Sequence, residues 1–248
     1  MASYTIKPLV LAKYVAEKGY MTFLSGYGSP ILRPFIMWCI EGAPEKIIVD
    51  TAIEAEDYRN YHPKFKDLEL IHMMTFEQAL ESVNMTPDDV DLVIQTHLHF
   101  DHCYNTRKCK NAKILIQKNE LDFAEHPSPF EGIYRKELYE GLDIEVIDGD
   151  TQIFEGIDIL STPGHSAGGQ SVCVQTEKGR AVIPGICSIH ENYYPESPHP
   201  MAGGGEVILP GIMLDAVKTY NSMKKIKQIA DIILPLHEPD IINIKGIP

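Results

Sequence analysis

Between Thr96 and Asn105 the chain reads THLHFDHCYN, which places His97, His99, Asp101 and His102 within six consecutive residues. Neutral imidazole and carboxylate are the donors that zinc, iron(II) and manganese accept. Only 10 histidines occur in 248 residues, so a surface loop that happens to be rich in histidine explains the window poorly. Two further histidines stand in comparable places. His165 follows an apolar run in STPGHSAGGQS, where Pro163, Gly164, Gly168 and Gly169 signal a tight turn with close backbone approach. His237 follows another run, in PLHEP. Histidines and a carboxylate of this kind, close together and following apolar runs, read as a metal-binding cluster. His62, His72, His126 and His199 lie in polar or Pro-rich surroundings and read as exposed loop positions.

Stiff elements must carry these side chains to one place. PFIMWCI, KIIVDT, VDLVIQT, KILIQ, LDIEVI, IDILS, SVCVQT, RAVIP and DIILPL are short, β-branched and bounded by turn residues, so they read as strands. HLHFDH begins where VDLVIQT stops. His165 and His237 likewise follow strands, and strand ends along one sheet edge are where sites collect. TPDD at 86–89 has the form of a helix start, FEQALESV and KNELDFAE are rich in helix formers, and Leu214, Val217, Tyr220, Met223, Ile226 and Ile229 form an apolar stripe at a spacing of three. The Pro- and Gly-rich stretch Tyr193–Pro210 reads as a long loop acting as a lid. No linker or low-complexity segment divides the chain, so residues 1–248 are expected to form one domain.

Composition narrows the partners. The formal charge of −13 disfavours nucleic acid and anionic lipid surfaces, and KKIKQ at 224–228 reads as a solvated helix face. The longest apolar runs fall far short of the ~20 residues a membrane span needs, and the first residues lack the features of a signal peptide. A cytoplasmic protein with a small-molecule substrate, binding neither nucleic acid nor membrane, is therefore expected. GYMTFLSGYG at 19–28 either lines a pocket or joins a homodimer. Five cysteines do not suggest a disulfide framework; Cys39 and Cys173 read as buried fillers, and Cys103 and Cys109 lack a second pair for a structural zinc site.

HLHFDH, TPGHSAGGQS and PLHEP stand in the order and approximate spacing of the metallo-β-lactamase superfamily. GSPILRPFIMWCIEGAPEKIIVDTAI at 28–53, TPDDVDLVIQTHLHFDH at 86–102 and IDGDTQIFEGIDILSTPGHSAGGQS at 147–171 resemble its N-acyl-homoserine-lactonase branch, and the resemblance runs over roughly residues 30–240. It implies an α+β fold, a four-layer αββα sandwich with two divalent metal ions at the edge between its halves. Zinc is the first expectation, with iron and manganese as alternatives. His97, His99 and His165 would hold one ion, and Asp101, His102 and His237 the other. A hydroxide between the two would open a lactone or related cyclic acyl compound, with Asp101 moving a proton. A thioester hydrolase similar to glyoxalase II and an iron-dependent redox protein are the alternative readings.

Three departures fall around that centre. Where relatives carry an Asp bridging both metals, this chain has Cys187, and no Asp occurs between Asp158 and Asp215. Cys187 is either a thiolate ligand or a small buried residue beside a weak or absent second site, with Glu191 a further candidate ligand. Where the lactonase branch shows a substrate-contacting Tyr stands His190, followed by Tyr193 and Tyr194. His190 is expected to donate that hydrogen bond or act as a titrating acid, with an exposed loop position as the other reading, and the two tyrosines are expected to bind substrate. DHCYN also places Cys103 and Tyr104 where small residues are usual. A substrate other than the usual acyl-homoserine lactones is the resulting expectation.

Overall fold

The protein is described by a computed structural model over residues 3–61, 63–196 and 205–248. Two sheets carry it. The first contains Thr5–Glu17 (β1), Pro30–Glu41 (β2), Ile47–Val49 (β3), Ile71–His72 (β4), Leu92–Ile94 (β5), Lys113–Gln117 (β6) and Ile144–Ile147 (β7). Their order is β4-β1-β2-β3-β5-β6-β7; β1 runs antiparallel to β4 and β2, β2 antiparallel to β3, and β3, β5, β6 and β7 run parallel. The second contains Thr151–Phe154 (β8), Ile157–Ser161 (β9), Gln170–Thr176 (β10), Gly179–Ile183 (β11) and Ile232–Ile233 (β12), in the order β12-β11-β10-β9-β8, with β11 and β12 parallel. Among the described residues six α-helices connect or cover them: Ala55–Tyr61 (α1), Phe76–Glu81 (α2), Phe100–Cys103 (α3), Lys118–Glu125 (α4), His190–Tyr193 (α5) and Ala216–Ile229 (α6).

The layers follow from which faces are apolar. Ile36, Trp38 and Ile40 of β2 point inward with Val49 and Ile94, and meet Ile159, Val172, Val174 and Ile183 of the second sheet. The alternate residues Phe35, Met37 and Cys39 face the other way, with Ile48 and Val93, and are covered by Tyr58 of α1 and Phe76 and Leu80 of α2. On the far side Leu160, Cys173 and Val182 are covered by Met223 and Ile226 of α6. Period-two alternation on strands buried from both sides thus gives helix, sheet, sheet, helix, the expected αββα sandwich. Each strand run read in the sequence becomes a strand. The 13-residue β1, which no run above included, is interrupted by Lys7, Pro8 and Lys13, and a register shift between Val10 and Ala12 bends it around the core.

Helix starts follow local chemistry. α2 opens on a capping box, with Thr75 Oγ1 accepting from Gln78 N at 3.2 Å and Gln78 Oε1 from Thr75 N at 2.9 Å. TPDD makes only a 3₁₀ turn, Pro87–Asp89, closed by Asp89 accepting from Thr86. Of the stripe on α6, Met223 and Ile226 are buried while Val217 faces solvent, because a strict spacing of three drifts around a helix of 3.6 residues per turn. All five cysteines are buried and unpaired. No helix among the described residues is long and apolar enough to cross a membrane. Residues 197–204 of the segment read as a lid, and with them His199, lie outside the described residues, as does His62. The lid's flanks, Tyr193 and Val207, pack in the core beside α6, and His72 and His126 are exposed as expected.

Candidate metal centre

The carboxyl ends of β3, β5, β9, β11 and β12 meet at one edge of the sandwich, and each is followed within a few residues by a polar group: Asp50, His97, His165, Cys187 and His237. Five imidazoles converge there. Ring centroids of His97 lie 4.4 Å from His99, 4.9 Å from His165 and 4.2 Å from His102, and His102 lies 5.4 Å from His237. The donor atoms form two groups, His97/His99/His165 and Asp101/His102/His237, each with its atoms within 4.8 Å of one another and all residues buried. The structure thus brings together the two sets of residues that the resemblance implies.

A buried carboxylate orients the rings. Asp50, fully buried and with a φ of 56°, accepts four hydrogen bonds: from Gln95 Nε2 (2.9 Å) and Thr96 N (2.7 Å) on Oδ1, and from Thr96 Oγ1 (2.7 Å) and His102 Nδ1 (2.9 Å) on Oδ2. The Thr96 hydroxyl spends its proton on Asp50, so at 2.9 Å from His97 Nδ1 it accepts, and His97 must carry its proton on Nδ1. His165 Nδ1 donates to Ile212 O (2.8 Å) and His237 Nδ1 to Pro34 O (3.0 Å). With Nδ1 committed in each, the Nε2 lone pairs of His97, His102, His165 and His237 are left for the centre, the arrangement typical of metal-bound histidines. Burial pushes the pKa of His97, His99 and His237 well down and that of His165 to about 4, keeping them neutral near pH 7 and able to ligate. For Asp101 burial acts upward, but the neighbouring His102 ring and the Arg33 guanidinium overcome it and hold the carboxyl far below its usual range.

A second buried carboxylate ties the two ligand loops together. Glu120 of α4 accepts from Leu98 N (2.9 Å) and Tyr134 OH (3.0 Å) on Oε1, and from Gly168 N (2.8 Å) on Oε2. Gly168 has no room for a side chain, since a Cβ there would lie 2.2 Å from Glu120 N. Gly168→Ala is therefore expected to cost about 2 kcal/mol or more, lowering Tm by roughly 4–8 °C for a chain of this size; a thermal melt unchanged within error would contradict the close approach.

The group His97/His99/His165 fits a divalent ion: His97 Nε2 and His99 Nε2 are buried with no hydrogen-bond partner, an expensive arrangement unless something coordinates them. The second group holds the right donors, but two of them are also engaged by Arg33, whose Nη2 lies 2.8 Å from Asp101 Oδ2 and 3.0 Å from His237 Nε2. Above both groups opens a cavity of about 440 Å³, with Tyr14, Tyr20, Tyr58, Phe65, Phe100 and Ile133 on its walls and Arg33, Asp101 and His165 at its floor.

A family profile described as "Metallo-beta-lactamase superfamily" matches residues 37–185, more than half of the chain. The chain belongs to the metallo-β-lactamase superfamily. Among its relatives in that superfamily, an N-acyl homoserine lactonase of Bacillus cereus is 29% identical over 203 residues, covering 78% of this chain and 76% of that one. A solved N-acyl homoserine lactone hydrolase with the product N-hexanoyl-L-homoserine bound at its catalytic metal centre superposes with a TM-score of 0.79 at 24% identity, covering 98% and 96% of the two chains. AidC, a dizinc quorum-quenching lactonase, does so with a TM-score of 0.66 at 16% identity, covering 96% and 89%. The metallo-β-lactamase fold expected from the sequence is thus shown.

The structure departs from the expected site at the second row of residues. Cys187 lies on the cavity wall but in neither donor group; its thiol points to Met21 Sδ at 3.8 Å, and burial pushes its pKa up to about 11. Glu191 instead pairs with Lys18. His190, Tyr193 and Tyr194 do not line the cavity. α5 starts at residue 190 and turns the segment away, so His190 is exposed and stacks on Tyr194 at 4.5 Å, while Tyr193 is buried in the core under α6. Cys103 is buried against Leu98 O, and Tyr104 turns outward to Asp57. The aromatic groups that do face the cavity are Tyr14 of β1, Tyr20 just after it, Tyr58 of α1, Phe65, and Phe100 of α3. Of GYMTFLSGYG, Tyr20 lines the cavity and Met21 packs against Cys187 and Ile189. His190→Ala is accordingly expected to leave kcat/KM within about twofold of wild type, since a surface substitution away from the site changes little. A tenfold or larger fall would return His190 to the catalytic machinery.

Proposed function

We propose that the protein is a metal-dependent hydrolase that opens a lactone or a related cyclic acyl compound. The observation that carries the reading is the set of buried, partnerless imidazole nitrogens of His97 and His99, with His165 beside them, of which His99 and His165 line an aromatic-walled cavity. The likeness to N-acyl homoserine lactonases supports the substrate class. Divalent metal held by this donor set, with zinc the first candidate, supplies an acidified water and a Lewis acid for the acyl carbonyl.

The chain's own residues do the rest. Opening a lactone adds one water across the acyl C–O bond, and the proton that water loses must reach the leaving oxygen. Asp101 is the only carboxylate among the described residues lining the cavity, so it is the group placed to orient the water and pass that proton. Its ion pair with Arg33 holds it ionised, so that it can accept a hydrogen bond from the water and orient it. The Tyr14 and Tyr58 hydroxyls, 3.4 Å apart, provide hydrogen-bonding groups on the wall, and burial keeps Tyr58 protonated. Phe65, Leu68, Ile133 and Ile212 offer an apolar surface for the remainder of the substrate, and the cavity's volume suits a small molecule.

The test is a pH-indicator assay of acid release from N-acyl homoserine lactones, simple γ- and δ-lactones, cyclic amides and thioesters. Metal-dependent turnover of lactones is expected, with lactones other than acyl-homoserine lactones preferred because Cys187 lines the cavity where the resemblance implies a carboxylate. Turnover of thioesters with none of any lactone would overturn the substrate class.

A further inference from the structure

The two donor groups differ in what their lone pairs meet. In the first, the Nε2 atoms of His97 and His99 meet nothing. In the second, Asp101 Oδ2 and His237 Nε2 both meet one nitrogen, Arg33 Nη2, at 2.8 and 3.0 Å. We propose that the Arg33 guanidinium is the resident cation of the second group, so that this chain holds a single divalent ion, at His97, His99 and His165, with an arginine where a second ion would sit.

Three observations carry this beyond proximity. First, the contact consumes the atom a metal would need. His237 donates Nδ1–H to Pro34 O, so Nε2 is its only lone pair, and Arg33 takes it. A dication bound by both residues would sit about 2.1 Å from each donor, within the space the guanidinium fills, and the two cations would repel at short range in a dry site.

Second, the arginine is built in. Arg33 faces Tyr14 across the β1–β2 ladder, its Nη1 lies 3.4 Å from Tyr14 OH, and its guanidinium carbon stands 5.2 Å from the Phe35 ring centroid and 5.9 Å from that of Tyr14. The same strand supplies, through Pro34 O, the acceptor that orients His237. With 8% of its surface exposed, the charge cannot leave for solvent without reorganising this packing, and a buried guanidinium left without Asp101 would be costly.

Third, the charge balances. Exchanging a dication for a monocation removes one positive charge, and a neutral thiol at Cys187, where the resemblance leads one to expect a bridging carboxylate, removes one negative charge. The centre keeps its net charge, and Cys187, turned toward Met21, has no second ion to bridge. Arg33 Nε remains buried without a partner while the residue lines the cavity, which leaves one donor of a fixed cation for an oxygen gaining negative charge.

The inference rests on the metal-centre reading of the first group and is independent of the substrate. Its test is metal content per folded chain, by elemental analysis after saturation with zinc or manganese and desalting. Wild type is expected to hold about one equivalent. Arg33→Met, and Arg33→Met combined with Cys187→Asp, are expected to rise toward about two, with His165→Ala removing the wild-type equivalent. Two equivalents in wild type would overturn the proposal even if neither variant folds, as would variants that fold and still hold one. No bound metal in wild type would overturn the metal-centre reading as well, which separates the two failures.

Discussion

Replacing His97 by alanine is expected to strip the metal and lower kcat/KM for lactone opening by on the order of 10³-fold or more, because water without a bound cation reverts from a pKa near 7 toward 15.7. His97 is the member of the first group with no exposed surface, and its ring lies within 5 Å, centroid to centroid, of three other imidazoles. Its loss removes one of three donors and leaves a void that water cannot convert into a ligand of equal strength. The fold should survive, since removing a buried group without a hydrogen-bond partner deprives no neighbour on its Nε2 side. The measurement is metal content and steady-state kinetics on protein whose circular dichroism matches wild type. Retention of both metal and turnover would show that the imidazoles are structural.

The second large effect is expected at Asp50. Asp50→Ala leaves Thr96 N, Thr96 Oγ1, Gln95 Nε2 and His102 Nδ1 without their shared acceptor in a fully buried place. Stranding donors of this kind, one on a ring beside the metal site, should cost about 3–5 kcal/mol of stability. Asp50→Asn separates stability from chemistry. Asn tolerates the left-handed backbone that Asp50 adopts at φ 56°, but its amide donor cannot accept from both Thr96 and His102. A loss of metal affinity of roughly 10–100-fold is expected with a smaller stability change, the range seen when a partner behind a metal-bound histidine is lost. Unchanged affinity in Asp50→Asn would mean that the Nδ1 partners do not set the ring orientations.

Much of this was legible in the residues, for physical reasons. The six-residue window and the two isolated histidines each follow a strand, and strand ends collect at one edge, so the strand runs alone brought these residues to one place, while their division into two groups came from the family resemblance. Asp50 escaped notice because KIIVDT reads as an ordinary strand end; a carboxylate closing an all-apolar run was the only signal. Arg33 had a similar cue, a lone positive charge between Leu32 and Pro34 in an otherwise apolar strand, since a charge buried in a sandwich must have a partner. His190, Tyr193 and Tyr194 were misplaced because position along the chain gives proximity to the site but not direction. A single turn of helix at His190–Tyr193 sends one ring to solvent and another into the core. Of the cavity's aromatic wall, Phe100 sits inside the histidine window, while Tyr14 of β1 and Tyr58 of α1 lie far from it in sequence and have no pattern of their own.

The account's central claim is that neutral imidazoles of His97, His99 and His165 hold a divalent ion. Crystals grown with zinc and measured on either side of its absorption edge test it most directly. The prediction is an anomalous difference peak about 2.1 Å from a nitrogen of each of the three rings. A zinc-soaked crystal with no peak among those rings would contradict it.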